Sequence, residues 1–261
     1  MWVVERSASK VFLFGETVGV RSEDVWLIDP IRAALDDSRE LWCEVADAHE
    51  IARSPLLGTY ALSAQPLSSR LKGGGLRYLQ ATARAVEVDP TTLEGFRPWL
   101  AGELLEHAQR SHAGVDAAVG VHEVLVRLAR DAGKVIRSEL PDADATLSSF
   151  GSLDEAVEID YLMWTLDRVA KRGAEIGRQV AAWKVGDGSV VEQQVAELQT
   201  KYPRLYQWLL VDRNRAWVPR INTMLDHPGS VFLLVGDSHM PGDDGIPALL
   251  AQSGLQPRRL A

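Results

Sequence analysis

The sequence predicts an α/β fold, with a central, mostly parallel sheet built from both chain ends and a large helical middle section covering it. Three observations predict this. Short apolar, β-rich runs lie near the two ends, at residues 11–14, 41–45 and 231–235. The stretch between them, residues 49–225, carries helical apolar spacing. The first and last runs also enter matching turns. Residues 231–239 read Val-Phe-Leu-Leu-Val-Gly-Asp-Ser-His, and residues 11–18 read Val-Phe-Leu-Phe-Gly-Glu-Thr-Val. In each, an apolar strand meets a glycine, an acid and a hydroxyl residue. The last turn then has His239, and the first has Val18. The whole chain reads as one domain, 1–261, with sheet-forming ends 1–48 and 226–261 and the helical middle 49–225.

Each element has a local reason. Residues 2–4 and 11–14 read as a hairpin turning at 7–10. Asp29 and Pro30 open a helix to about Ser38, because proline at the first helical turn removes only an N–H that would be unpaired. Residues 41–45 form the next strand, and the strand-helix-strand order favours a parallel pair with a right-handed crossover. Gly73, Gly74 and Gly75 break the helical middle. Residues 93–110 and 115–132 read as amphipathic helices, and 133–139 as a strand. A long helix follows over 152–182, then a loop at Gly186 to Gly188 and helices over 190–199 and 205–225. His227, Pro228 and Gly229 lead to the last long strand, a helix follows over 246–251, and residues 256–260 read as an edge strand.

Bulk composition narrows the function. At 261 residues and 46% hydrophobic, the chain can bury a full core. The net charge of −8 argues against a nucleic acid or an anionic membrane surface as partner. The single cysteine, Cys43, excludes an intrachain disulfide and reads as an inert buried thiol. No run approaches the ~18 apolar residues of a membrane span. The residues after Met1 lack a basic region followed by an apolar one, so the expected location is cytoplasmic. The acidic balance and eight Trp leave room for a homo-oligomer or a partner enzyme.

Four polar residues follow apolar strands: Glu16, Glu44, Glu139 and His239. Parallel neighbours would bring them to one edge of the sheet, where α/β proteins place their chemistry. Converging carboxylates and an imidazole can share protons, activate water or hold a divalent cation. Each also has a structural reading, as a helix cap, an outward acid or a packed histidine. Arg213 lies four residues before Trp217 and shares its helical face. An inward Arg213 would pair with Glu16, Glu44 or Glu139.

The chain resembles the TraB/GumN family, which is related to the Tiki proteins and more distantly to ChaN-like and erythromycin-esterase-like folds. The resemblance spans essentially the whole chain. It rests on Leu13-Phe-Gly15, Glu44, Arg97-Pro-Trp99, Gly114-Val-Asp116, Lys134 to Glu139, Trp183 with Gly186-Asp187, Leu209 to Asn214, and Val235 to Gly242. It implies an α/β fold and two Gly-x-x-His motifs, with His239 as the second histidine, Glu44 as the acid, and Arg213 with Asn214 as a helix pair. Glu16 matches the Gly-Glu start of the esterase relatives, which open a lactone ring. Tiki members are described as metal-dependent proteases. Val18 departs from the pattern, and an apolar side chain neither ligates a metal nor moves a proton. The resemblance therefore implies a hydrolase-like or lyase-like enzyme acting on a small molecule, with a divalent metal in question. The other reading is a catalytically inactive binding or scaffold protein that keeps the fold.

Overall fold

A computed structural model describes residues 1–45, 48–51, 53–115 and 119–260, with backbone only at 48–49 and 172–174. Its elements, in chain order, begin with β1 (Trp2–Arg6), β2 (Ser9–Glu16), α1 (Asp29–Asp37) and β3 (Ser38–Val45). Short helices follow: α2 (Ala48–Ile51), α3 (Leu57–Ala61) and α4 (Leu67–Arg70). Next come α5 (Gly75–Ala85), α6 (Pro98–His112), α7 (Val121–Asp131) and β4 (Val135–Leu140). The chain continues through α8 (Ala143–Gly151), α9 (Glu155–Lys184), α10 (Ser189–Lys201), α11 (Pro203–Tyr206) and α12 (Asp212–Leu225). It ends with β5 (Gly229–Gly236), α13 (Ile246–Gln252) and β6 (Arg258–Arg259). Asp116 of the sequence pattern, and part of the helix expected over 115–132, lie outside the described residues.

The chain forms two compact units. One comprises 1–46, 117–139 and 177–261, and the other 47–116 and 140–176. The first unit contains the sheet, in the order β4-β3-β5-β2-β1-β6. Its centre is parallel: β5 pairs with β2 on one side and β3 on the other. β1 pairs antiparallel with β2 and with the short edge strand β6. Val11, Leu13, Val231, Phe232, Leu233, Leu234 and Val235 are completely buried. A strand this apolar on both faces belongs at a sheet centre. On one face, Leu13, Leu233 and Val235 pack with Trp217 and Ile221 of α12. On the other, Phe14 meets Trp183 and Phe232 at ring separations of 5.7 and 5.8 Å.

The second unit is helical. Leu67, Leu79, Leu105, Leu162 and Leu166 form its apolar centre. Within it Glu158 is fully buried and bonds to both Arg70 and Arg97. Arg97 also donates to the carbonyls of Gly151 and Leu153.

Four details differ from the sequence reading. β2 and β3 are parallel, but β5 lies between them, because the most apolar strand takes the position with two covered edges. The helix expected over 93–110 begins at Pro98. Arg97 is extended (φ −66°, ψ 152°), as the residue before a proline is pushed out of the helical region. The strand expected from Gly133 begins at Val135, since Gly133 has φ +67° and turns the chain after α7. The helix expected over 205–225 contains a π turn at Gln207–Val211, immediately before the α12 residues Arg213 and Asn214.

Candidate functional site at the carboxyl edge of the sheet

The first unit's sheet sets the site geometry. Gly15 stands opposite Val235 and Glu16 opposite Gly236, so the two similar turns lie side by side. A Cβ on Gly15 would come within 3.0 Å of the Asp237 backbone, and glycine permits this approach. Trp183 Nε1 donates to the Gly15 carbonyl at 2.7 Å, and Gln179 Nε2 donates to Thr17 Oγ1 at 3.1 Å and Asp237 Oδ2 at 3.2 Å. The first turn is therefore tied to both α9 and the last turn.

Glu44, Glu139, Arg213, Asn214 and His239 form one connected group. The Arg213 Nη2 donates to Glu139 Oε2 at 2.5 Å and lies 3.4 Å from Glu44 Oε1. The same Glu44 oxygen lies 2.7 Å from His239 Nε2 and accepts from the Gly236 N–H at 3.4 Å. Burial by itself would raise the Glu44 carboxyl, but Arg213 and His239 outweigh it and hold the group well below the usual carboxylate range. Burial would likewise release the Arg213 proton, and the flanking Glu44 and Glu139 reverse that tendency.

His239 is 3% exposed and both its ring nitrogens face polar neighbours. Asn214 Nδ2 donates to the Asp244 carbonyl at 2.8 Å, which leaves Asn214 Oδ1 as the acceptor toward His239 Nδ1 at 2.5 Å. Nε2 faces the ionised Glu44.

Glu16 stands apart from this bonded group but feels the charge of Glu44. Burial raises its carboxyl, and the repulsion of Glu44 and Glu123 adds to that, while His122 opposes it. His122 Nδ1 lies 3.4 Å from Glu16 Oε1. Burial lowers the His122 imidazole, but the bond and charge of Glu16 outweigh this and raise it. The ring's other nitrogen, Nε2, is buried and has no hydrogen-bond partner among the described residues. His122 and Gln179 are absent from the sequence reading. Both lie within helices, far along the chain from the strand-end motifs, and no local spacing marks them. Val18, in contrast, is 42% exposed.

A cavity of about 580 Å³ adjoins these turns in the same unit. Phe14, Trp26, Trp183 and Met240 supply apolar walls, and Gln179 and Asp237 supply polar ones.

A profile of the TraB/PrgY/gumN family matches residues 1–259, a span holding both terminal turns and every residue of the site. The chain belongs to this family. No curated protein and no solved structure matches it significantly. Family membership covers the chain as a whole and assigns no role to any single residue.

The divalent cation raised by the TraB resemblance does not fit these residues. No group of three or more His, Cys, Asp or Glu among the described residues is arranged to hold one. Arg213 already bonds to Glu139 and lies against Glu44, so a guanidinium supplies the compensating positive charge.

The Glu16–His122 pair carries a pH signature. Both groups hold protons more tightly when folded, so both contributions are complete at low pH. The Glu16 contribution is lost as pH rises above the ordinary 4.5, and that of His122 as pH rises above 6.5. Urea midpoints of the native protein should therefore fall across this range relative to the Glu16→Gln, His122→Gln double variant. Parallel pH profiles for the two proteins would contradict the pairing.

Proposed function

We propose that this TraB/PrgY/gumN family member is a hydrolase-like or lyase-like enzyme acting on a small molecule, with the whole chain as its functional domain. The observation that carries the reading is a pair of glutamates at one sheet edge with opposite proton tendencies. Glu44 is held ionised, and Glu16 is pushed toward the protonated form. Such divergence separates an acid–base group from a charge-holding group. Glu16, assisted by His122, takes and returns the proton. Arg213 and His239 stabilise developing negative charge, with Asn214 orienting the imidazole and Glu139 orienting the guanidinium. The aromatic cavity borders Gly15 and Asp237 but is lined by none of Glu16, Glu44, His122, Arg213 or His239, so in this proposal it holds the apolar part of a substrate beside the reacting groups. Among the described residues no helix is long and apolar enough to cross a membrane. A cytoplasmic site of action is part of the same proposal.

The test is a panel of lactones and aryl esters assayed with purified protein. Glu16→Gln should lower kcat/KM by ~10²–10⁴-fold through the lost proton transfer, and His239→Ala by ~10²–10³-fold through lost charge stabilisation. Val18→Ala should be mild, since valine has no proton to give. Turnover that survives both Glu16→Gln and His239→Ala would remove the catalytic assignment. Val18 also favours one specific second reading, in which the protein binds a ligand at this edge without transforming it. Saturable binding with no turnover of the bound compound would select that reading.

A further inference from the structure

The amino edge of the same sheet carries a second concavity, of about 720 Å³, wholly within the first unit. Its lining includes Arg39, Glu40, Trp42, Arg137, Arg220 and His227. Three guanidiniums thus face one carboxylate, on a protein whose net charge is −8. Glu40 answers only part of this charge: it bonds to Arg137 at 2.8 Å and lies 3.3 Å from Arg39. Arg220 stacks over the Trp217 ring at 5.2 Å, and its Nη1 is buried without a hydrogen-bond partner among the described residues. The indole Nε1 of Trp42 is also buried without one. Folded proteins seldom leave buried donors unmatched, and two at one basic pocket call for an acceptor from outside the chain.

We propose that this pocket binds a small organic anion. Its phosphate or carboxylate oxygens engage Arg220 and Arg137, and its apolar part lies against Trp42. The planar guanidinium fork matches two oxygens of either group. Arg137 and Arg39 have side chains that are 54% and 39% exposed, so a ligand reaches them without displacing core residues. Trp42 precedes Glu44 by two residues, and Arg137 precedes Glu139 by two. Residues two apart on a strand share a face, so the anion site and the carboxylate group lie about 7 Å apart along the same face of β3 and β4, the anion site on the amino side. The proposal stands independently of the catalytic reading.

Calorimetric titration with inorganic pyrophosphate and, separately, citrate at constant ionic strength tests it. The indole N–H resonance of Trp42, assigned through Trp42→Phe, locates the binding. Saturable heat together with a saturable shift of that resonance is expected for at least one anion. A response to pyrophosphate alone identifies phosphate chemistry, and a response to citrate alone identifies carboxylate chemistry. Arg220→Gln and Arg137→Gln should each weaken binding about tenfold or more. Should Arg220→Gln fail to fold, the half-exposed Arg137 position decides. Absence of saturable binding by both anions would overturn the proposal, as would binding unaffected by the variants that fold.

Discussion

Arg213→Ala should destabilise the protein by about 3–5 kcal/mol, lowering the melting temperature by roughly 10 °C. The substitution leaves Glu44 and Glu139 facing each other without the guanidinium that bonds or adjoins both. The cost comes mainly from those stranded carboxylates rather than from lost packing, which yields a second expectation. Arg213→Ala combined with Glu139→Gln should recover part of the loss, because one stranded charge is gone. The pH dependence follows from Glu44. Its folded carboxyl lies below the ordinary value of 4.5, so its stabilising contribution is present above that pH and disappears as pH falls through the folded value. Arg213→Ala should flatten this acid limb. Thermal unfolding of the three proteins across pH checks both points, and a neutral Arg213→Ala would show that the cluster does not hold the sheet edge together.

A loss of similar size, about 3–5 kcal/mol, is expected for Glu158→Ala in the helical unit. Glu158 is 0% exposed and is shared by Arg70 and Arg97. Removing it strands two guanidiniums. Arg97 would still donate to the carbonyls of Gly151 and Leu153, whereas among the described residues Arg70 would keep the exposed Glu155 as its ion-pair partner. Glu158→Gln should fall between native and Ala, since an amide oxygen still accepts one bond without carrying the charge. Chemical denaturation of the three proteins measures the order. Equal stability of Glu158→Ala and native protein would contradict a structural role for this buried triad.

The parts of this architecture that are legible in the sequence are those fixed by local chemistry. The apolar runs at 11–14 and 231–235 predict central strands because no single face of them is polar. The pairing of Gly15 with Val235 and Glu16 with Gly236 is anticipated by two similar turns at opposite ends of the chain. Arg213 is expected to reach an acid because converging carboxylates require a cation, and the guanidinium does lie against Glu139 and Glu44. Long-range placement is not legible. Nothing in residues 9–45 announces that β5 separates β2 from β3. His122 reaches Glu16 from more than 100 positions away, on a helix whose own pattern shows only which side is apolar. The π turn before Arg213 is also silent in the sequence, as each of its residues is acceptable in an ordinary helix.

The position of β5 also bears on how the chain is made. During synthesis from the N-terminus, β2 ends 213 residues and β3 184 residues before the start of the strand that joins them, at Gly229. Until β5 arrives, the inner edges of both present unpaired backbone groups beside some of the most apolar side chains in the protein. Closure of the sheet is therefore a late, long-range event, and loop-closure entropy makes such events slow. The helical unit has no such delay. All its segments, up to residue 176, have been made before β5 is translated. A ribosome-stalled chain ending before Gly229 should bind chaperones through its two open strand edges, and release of the completed protein should depend on a single hydrophobic strand inserting between them.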